Sequence, residues 1–364
     1  MSMNLELRTL SPEGMRRFQA LRADAVSAVT ERFFATHGSA YVRFGPHGRE
    51  ACREDMAFHL EFLRPVLEFG LPQPMVDYLL WLASVLRARA IPTEHLAQSL
   101  DWLGQFFEGR IGGTDGAVVV AALRAARMKF LEAGTAAETP LKAPDPWPQA
   151  AAFEAALLAG NQREALAIVS RCIDCAQTLV DVELHVIQPA LYQIGAKWQA
   201  NQVSVAQEHM ATAIAQSVMT VGLLQSPAPA PLDKRVLLAC VEGNSHMVGL
   251  RMVADAFLLA GWDVQYLGAN VPTGALVGHA VEWKPDLVGL SVSFAQQLPA
   301  VKAVIAALVE RLGDARPAVM IGGLAINRFD RLARMVSADG FSADARASVV
   351  EATRIVGSRQ SGMP

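Results

Sequence analysis

The chain has 364 residues, 52% of them apolar and only 18% charged, which is too long for a single small module and too apolar for extensive disorder. A net charge of −3, with no run of basic residues longer than two, lacks the electrostatic footprint of a nucleic-acid binder. The longest uninterrupted apolar runs, such as residues 116–123, fall far short of the ~18–20 residues that span a bilayer, so a cytoplasmic protein with no membrane partner is expected.

Two proline-rich stretches punctuate the chain. Residues 134–148 (GTAAETPLKAPDPWP) and 226–234 (SPAPAPLDK) have no helical period and read as linkers. Before the first, residues 1–133 read as an all-helical domain, with amphipathic helices over 12–36, 48–68, 74–89, 92–107 and 115–132, Pro92 fitting a first helical turn. Residues 149–225 read as a four-helix bundle with breaks near Gly160-Asn161, Gly195 and 200–203. Residues 235–358 change character: apolar β-rich runs at 235–241, 264–267, 287–292 and 318–321 alternate with helical patterns. That alternation predicts a Rossmann-like, doubly wound parallel sheet with ligands at the carboxyl ends of its strands. The fold class is multidomain, α plus α/β.

Four cysteines, Cys52, Cys172, Cys175 and Cys240, are too few and too irregular for a disulfide framework. Cys172 and Cys175 are expected inside one helical run, 165–180, where packing explains them.

The first strand ends in Glu242-Gly243-Asn244-Ser245-His246-Met247-Val248-Gly249, at the ligand-binding edge of such a sheet. Alone, a histidine at a strand end such as His246 is more often a capping or packing residue than a metal ligand. Spacing adds information: after Gly249 come 41 residues and then Ser291-Val292-Ser293, and after Ser293 come 28 residues and then Gly322-Gly323. This pattern resembles the cobalamin-binding signature of methionine synthase and the corrinoid-dependent mutases. The resemblance implies that His246 is the lower axial ligand of cobalt, and that Ser291, Ser293, Gly322 and Gly323 line a slot for the benzimidazole tail. Asn244 stands where that family usually has a carboxylate, so a neutral amide is expected to orient the imidazole.

In the bundle, Trp198 is followed after nine residues by Glu208-His209. Taken alone these are a core tryptophan and a solvated polar pair. Beside a cobalamin site the spacing resembles that of cobalamin-dependent light sensors, which implies that Trp198, Glu208 and His209 cap the adenosyl side of adenosylcobalamin. Those sensors often carry a histidine directly after the tryptophan; here the residue is Gln199.

In the helical domain, Cys52, Met56, His59 and Leu63 fall on one apolar face, with Arg43, Arg49 and Arg53 near in sequence. Two readings stand: a satisfied core histidine, or a tetrapyrrole pocket with His59 at the ring nitrogens and arginines on the propionates. The layout of the whole chain resembles the photocobilins, which implies a degenerate globin-like first domain that binds biliverdin. The expectation is a non-enzymatic light sensor using adenosylcobalamin, and biliverdin with it. Its expected output is a light-dependent homo-oligomer or a separate signalling partner, with no nucleic acid. The alternative is a corrinoid carrier of a methyl-transfer system.

Overall fold

The computed structural model describes residues 8–134, 144–174, 178–329 and 331–360. The chain forms two compact units, Met1–Thr139 and Pro140–Pro364, with the bundle and the sheet sharing the second. Most of the stretch read as a linker at 134–148 lies outside the described residues, as does Cys175.

The first unit contains α1 (Pro12–Tyr41), α2 (Gly45–Phe69), α3 (Gln73–Ala88), α4 (Glu94–Ile111) and α5 (Gly113–Ala133), matching the expected helices to within a few residues at most ends. Ser11 caps α1 by accepting from the Gly14 N–H, and its hydroxyl donates to Asp115 Oδ2 at 2.7 Å, fastening the start of α1 to α5. Pro92 precedes α4 instead of lying in its first turn, because Thr93 takes the N-cap position. The α2 stripe is as expected: Cys52, Met56, His59 and Leu63 are all buried, in a core shared with Phe18, Leu79, Leu103 and Phe107.

The second unit opens with α6 (Gln149–Leu158) and α7 (Gln162–Asp174). Next, α8 (Leu179–Val182) runs through a π-helical turn, Glu183–Ile187, into α9 (Gln188–Gln199), and α10 (Val205–Gln225) closes the bundle. Gly160 turns the chain between α6 and α7 at φ +66°. Gly195 does not break the helix but sits within α9, since one helical glycine costs only ~1 kcal/mol, which packing outweighs. The expected helix 165–180 is instead interrupted: Thr178 starts a new helix by accepting from the Asp181 N–H.

The sheet follows: β1 (Arg235–Val241), β2 (Asp263–Val271), β3 (Leu287–Ser291), β4 (Ala318–Gly322) and a two-residue β5 (Gly340–Phe341) that the sequence did not reveal. All pairings are parallel, in the order β2-β1-β3-β4-β5. The helices α11 (Val248–Leu259), α12 (Thr273–Trp283), α13 (Leu298–Leu312), α14 (Leu324–Arg328), α15 (Arg331–Arg334) and α16 (Ala345–Gln360) complete the unit. Val236, Leu238 and Cys240 share a core with Leu250 and Phe257 of α11 and Ile355 and Val356 of α16. Intervening strand residues face the opposite side, as a period of two requires. The stretch read as a second linker is tied down, with the Leu232 N–H donating to the Gly261 carbonyl.

Two carboxyls are buried where the bundle meets α11. Glu183, in the π-helical turn, is fully buried, and so is Asp255, whose Oδ1 accepts from Arg251 Nε at 2.8 Å. Burial and the neighbouring Asp255 push Glu183 well above the usual carboxylate range; burial pushes Asp255 up as well. An acid whose folded pKa is raised stabilises the fold fully at low pH and loses that contribution as pH rises. Glu183→Gln is therefore expected to raise the melting temperature at pH 8 more than at pH 5, as followed by circular dichroism. An unchanged pH dependence would contradict the raised acid.

Candidate functional site

The order 2-1-3-4-5 places the switch point between β1 and β3, where chains leave adjacent strand ends in opposite directions and open a crevice. Two side-chain amides hold the loops there. Asn244, fully buried, donates from Nδ2 to the Ser291 carbonyl at 2.9 Å and accepts at Oδ1 from the His246 N–H at 3.1 Å. Gln297 accepts from the Ser293 N–H and donates to the Gly243 carbonyl at 2.8 Å. The expectation for Asn244 is thereby corrected: it orients the backbone of the His246 loop and makes no bond to the imidazole ring. Its amide is already committed to two backbone groups.

A cavity of about 680 Å3 rises from this crevice to the bundle. His246 lines it, with its ring edge-on to Phe294 at 5.2 Å and no hydrogen-bond partner for either ring nitrogen among the described residues. Burial lowers the His246 pKa more than Glu208 raises it, so the imidazole is held neutral, the form that can donate a lone pair to a metal.

Below His246 the cavity continues as a slot past Ser291, Ser293, Gly322 and Gly323, all of which line it. Gly323 has φ +99°, and a Cβ there would stand 2.6 Å from the Val292 carbonyl oxygen, so only glycine fits. Gly249, at the start of α11, also lines the cavity, with open space where its side chain would be. Asn327 in the slot wall donates to the Ala343 carbonyl while its buried Oδ1 has no partner, an acceptor left for a ligand.

The upper wall comes from α9 and α10. Ser204 and Gln207 form a reciprocal capping box that fixes where α10 begins, and thus where its first turn points Glu208 and His209. Both line the cavity. Thr212 donates to Glu208 Oε1 at 3.0 Å, and the other carboxylate oxygen accepts from His209 Nδ1 at 2.6 Å. Trp198 is placed differently from expectation: it packs, partly buried, against the bundle core at the end of α9 and does not line the cavity. Gln188, Leu191 and Tyr192 of α9 line it instead, with Gln188 Nε2 donating to the Tyr192 hydroxyl at 3.0 Å.

The first unit holds a second cavity, of about 370 Å3, walled by Phe33, Tyr41, Phe44 and Leu82 among others. His59 lines it, and so does Asp55, which sequence reasoning missed. Arg43, Arg49 and Arg53 do not. Arg43 donates to the Ala90 carbonyl at 2.6 Å, Arg49 pairs with Glu31, and Arg53 is exposed. The expected propionate partners are thus engaged or directed elsewhere, and Arg89 is the arginine on the cavity wall.

Comparison with known proteins accords with the second unit's geometry. A B12 binding domain matches residues 234–350, and a second B12 binding domain matches 149–221. The HTH-type transcriptional repressor CarA of Myxococcus xanthus is 36% identical over 126 residues, 34% of this chain and 42% of that protein, so the chain spans under half of CarA. Dimethylamine corrinoid protein 3 of Methanosarcina mazei is 30% identical over 116 residues, covering 32% of this chain and 68% of that protein. The solved monomethylamine corrinoid protein of Methanosarcina barkeri superposes with a TM-score of 0.46 at 19% identity, over 56% of this chain and 94% of that one.

Two substitutions test the lower wall. Asn244→Ala removes both loop bonds and leaves backbone groups unpaired, at a cost of about 1–3 kcal/mol in urea denaturation. His246→Ala is expected to weaken cobalamin binding and shift the bound spectrum; identical affinity and spectrum would remove His246 from the site.

Proposed function

Because the chain belongs to the family of B12-binding proteins, we propose that it is a light sensor holding adenosylcobalamin between its bundle and its sheet. The observation that carries this reading is the pairing of walls. A neutral His246 with no protein partner faces a cavity whose roof carries Glu208 and His209, at the spacing after Trp198 that resembles cobalamin-dependent light sensors. When bound, the cofactor supplies a cobalt–carbon bond that visible light breaks.

The chain's own residues divide the remaining tasks. His246 would supply the protein's nitrogen ligand to the cobalt, and the slot lined by Ser291, Ser293, Gly322 and Gly323 would accept the benzimidazole tail, its hydroxyls bonding without bulk. Tyr192, Glu208 and His209 cover the adenosyl side, while Trp198 stiffens the end of α9 behind them. Without an adenosyl group that roof would lack a packing partner. A large difference in contacts between two states is what shifts a conformational equilibrium. The output in this reading is changed self-association or engagement of a separate signalling partner, and no reaction is catalysed. Biliverdin is assigned to the cavity of the first unit, beside His59.

A corrinoid carrier for methyl transfer is the second reading, favoured by the match to a dimethylamine corrinoid protein over two thirds of its length. Full-length protein loaded with adenosylcobalamin separates the two. The sensor reading expects green light to change both the absorption spectrum and the sedimentation profile. Bound cobalamin with no light-dependent change in association state would favour the carrier.

A further inference from the structure

The second cavity contains an acid with no counter-charge. Asp55 and His59 lie one turn apart on α2 and both line it. His59 is 0% exposed, and its Nδ1 lies 2.8 Å from the Tyr78 hydroxyl, leaving Nε2 buried and unpartnered. Burial lowers the His59 pKa to about 4, so its ring is neutral. The Asp55 carboxyl has no hydrogen-bond or ion-pair partner among the described residues. Burial, with Glu54 adding to it, pushes Asp55 up to about 7.

No fixed cation in the surroundings is committed to Asp55. Around the cavity stand Tyr41 from α1, His47, Cys52 and Glu54 from α2, Tyr78 from α3, Arg89 after it and His95 from α4. Arg89 donates from Nη1 to the Val85 carbonyl at 3.0 Å. His95 is lowered by burial and by His37, and its Nδ1 lies 2.8 Å from the Tyr41 hydroxyl. Tyr41, Cys52 and Tyr78 are themselves raised, in part by Asp55. A carboxyl in an apolar cavity without a partner is costly unless a ligand completes it.

We propose that Asp55 is the counter-ion of a protonated tetrapyrrole in this cavity, with His59 Nε2 as the adjacent hydrogen-bonding group. The inference rests on the bilin reading above and deepens it. A linear tetrapyrrole carries one imine nitrogen among its four rings. The Asp55 O–H bond breaks as an N–H bond forms on that nitrogen, and a carboxylate facing a delocalised cation remains, with atoms and charge conserved. A neighbouring opposite charge would hold the cationic form to higher pH.

Full-length protein with biliverdin as the probe tests this, its absorption being titrated between about pH 6 and 9. Wild-type protein is expected to keep the red, protonated band through neutrality. Asp55→Asn should lower the midpoint for loss of that band by about one pH unit or more, roughly a tenfold weaker hold on the proton, and Asp55→Glu should restore part of it. Should Asp55→Asn fail to fold, a midpoint for Asp55→Glu indistinguishable from wild type across the carboxylate's displacement, with His59→Gln equally silent, would overturn the assignment. Bilin bound with the same midpoint in Asp55→Asn as in wild type would overturn it while leaving the bilin reading intact. No uptake of biliverdin by wild-type protein would refute the bilin reading and this inference with it.

Discussion

The buried amide of Asn244 joins the loop after β1 to the end of β3, and the lower wall of the larger cavity is arranged around that junction. The amide holds two backbone groups and leaves the imidazole of His246 alone, so neither ring nitrogen is committed. The same loop is fastened by Gln297 through the Gly243 carbonyl and by Asn270, whose Oδ1 accepts from the Gly243 N–H at 2.7 Å. A ligand atom above His246 therefore meets a lone pair whose position is set by backbone bonds. A carboxylate at residue 244 would put negative charge against the Ser291 carbonyl oxygen, where the amide now donates.

The roof is built on a different principle. Its position depends on where helices start: the capping box of Ser204 and Gln207 sets α10, and the π-helical turn after α8 sets α9. π-helical turns occur often at functional sites. In this one Glu183 is buried, as is Asp255 of α11, which pairs with the half-buried Arg251, and Arg346 of α16 pairs with Asp181 of α8. The seam between bundle and sheet thus contains ionisable side chains rather than being wholly apolar. In the light-sensor reading the roof responds to its ligand, and such a seam serves that better than a continuous core, since buried polar contacts lose their value when geometry changes.

Much of the second unit was legible because parallel strands covered on both faces appear as unbroken apolar runs, and strand ends fix the loops that carry His246, Ser291 and Gly322. The two-residue β5 shows no period and could not be seen. Trp198 marks a limit of spacing arguments. It lies seven residues beyond Leu191 and shares its helix face, but stands about 10 Å further along α9, beyond the cavity's edge. Spacing gives the face of a helix and not the reach of a cavity. The arginines of the first unit failed for a related reason, since nearness in sequence does not turn a side chain inward. Asp55 escaped notice because counting apolar positions along α2 passes over a half-buried carboxyl beside them that lines the cavity.

Nitrogen ligation by His246 is the claim on which the cobalamin site stands, and electron paramagnetic resonance of the protein loaded with cob(II)alamin tests it most directly. Protein labelled with 15N-histidine is predicted to convert the axial-nitrogen splitting from a 14N triplet to a 15N doublet. A splitting that stays a triplet would mean that the benzimidazole tail keeps the lower position, and would contradict the account.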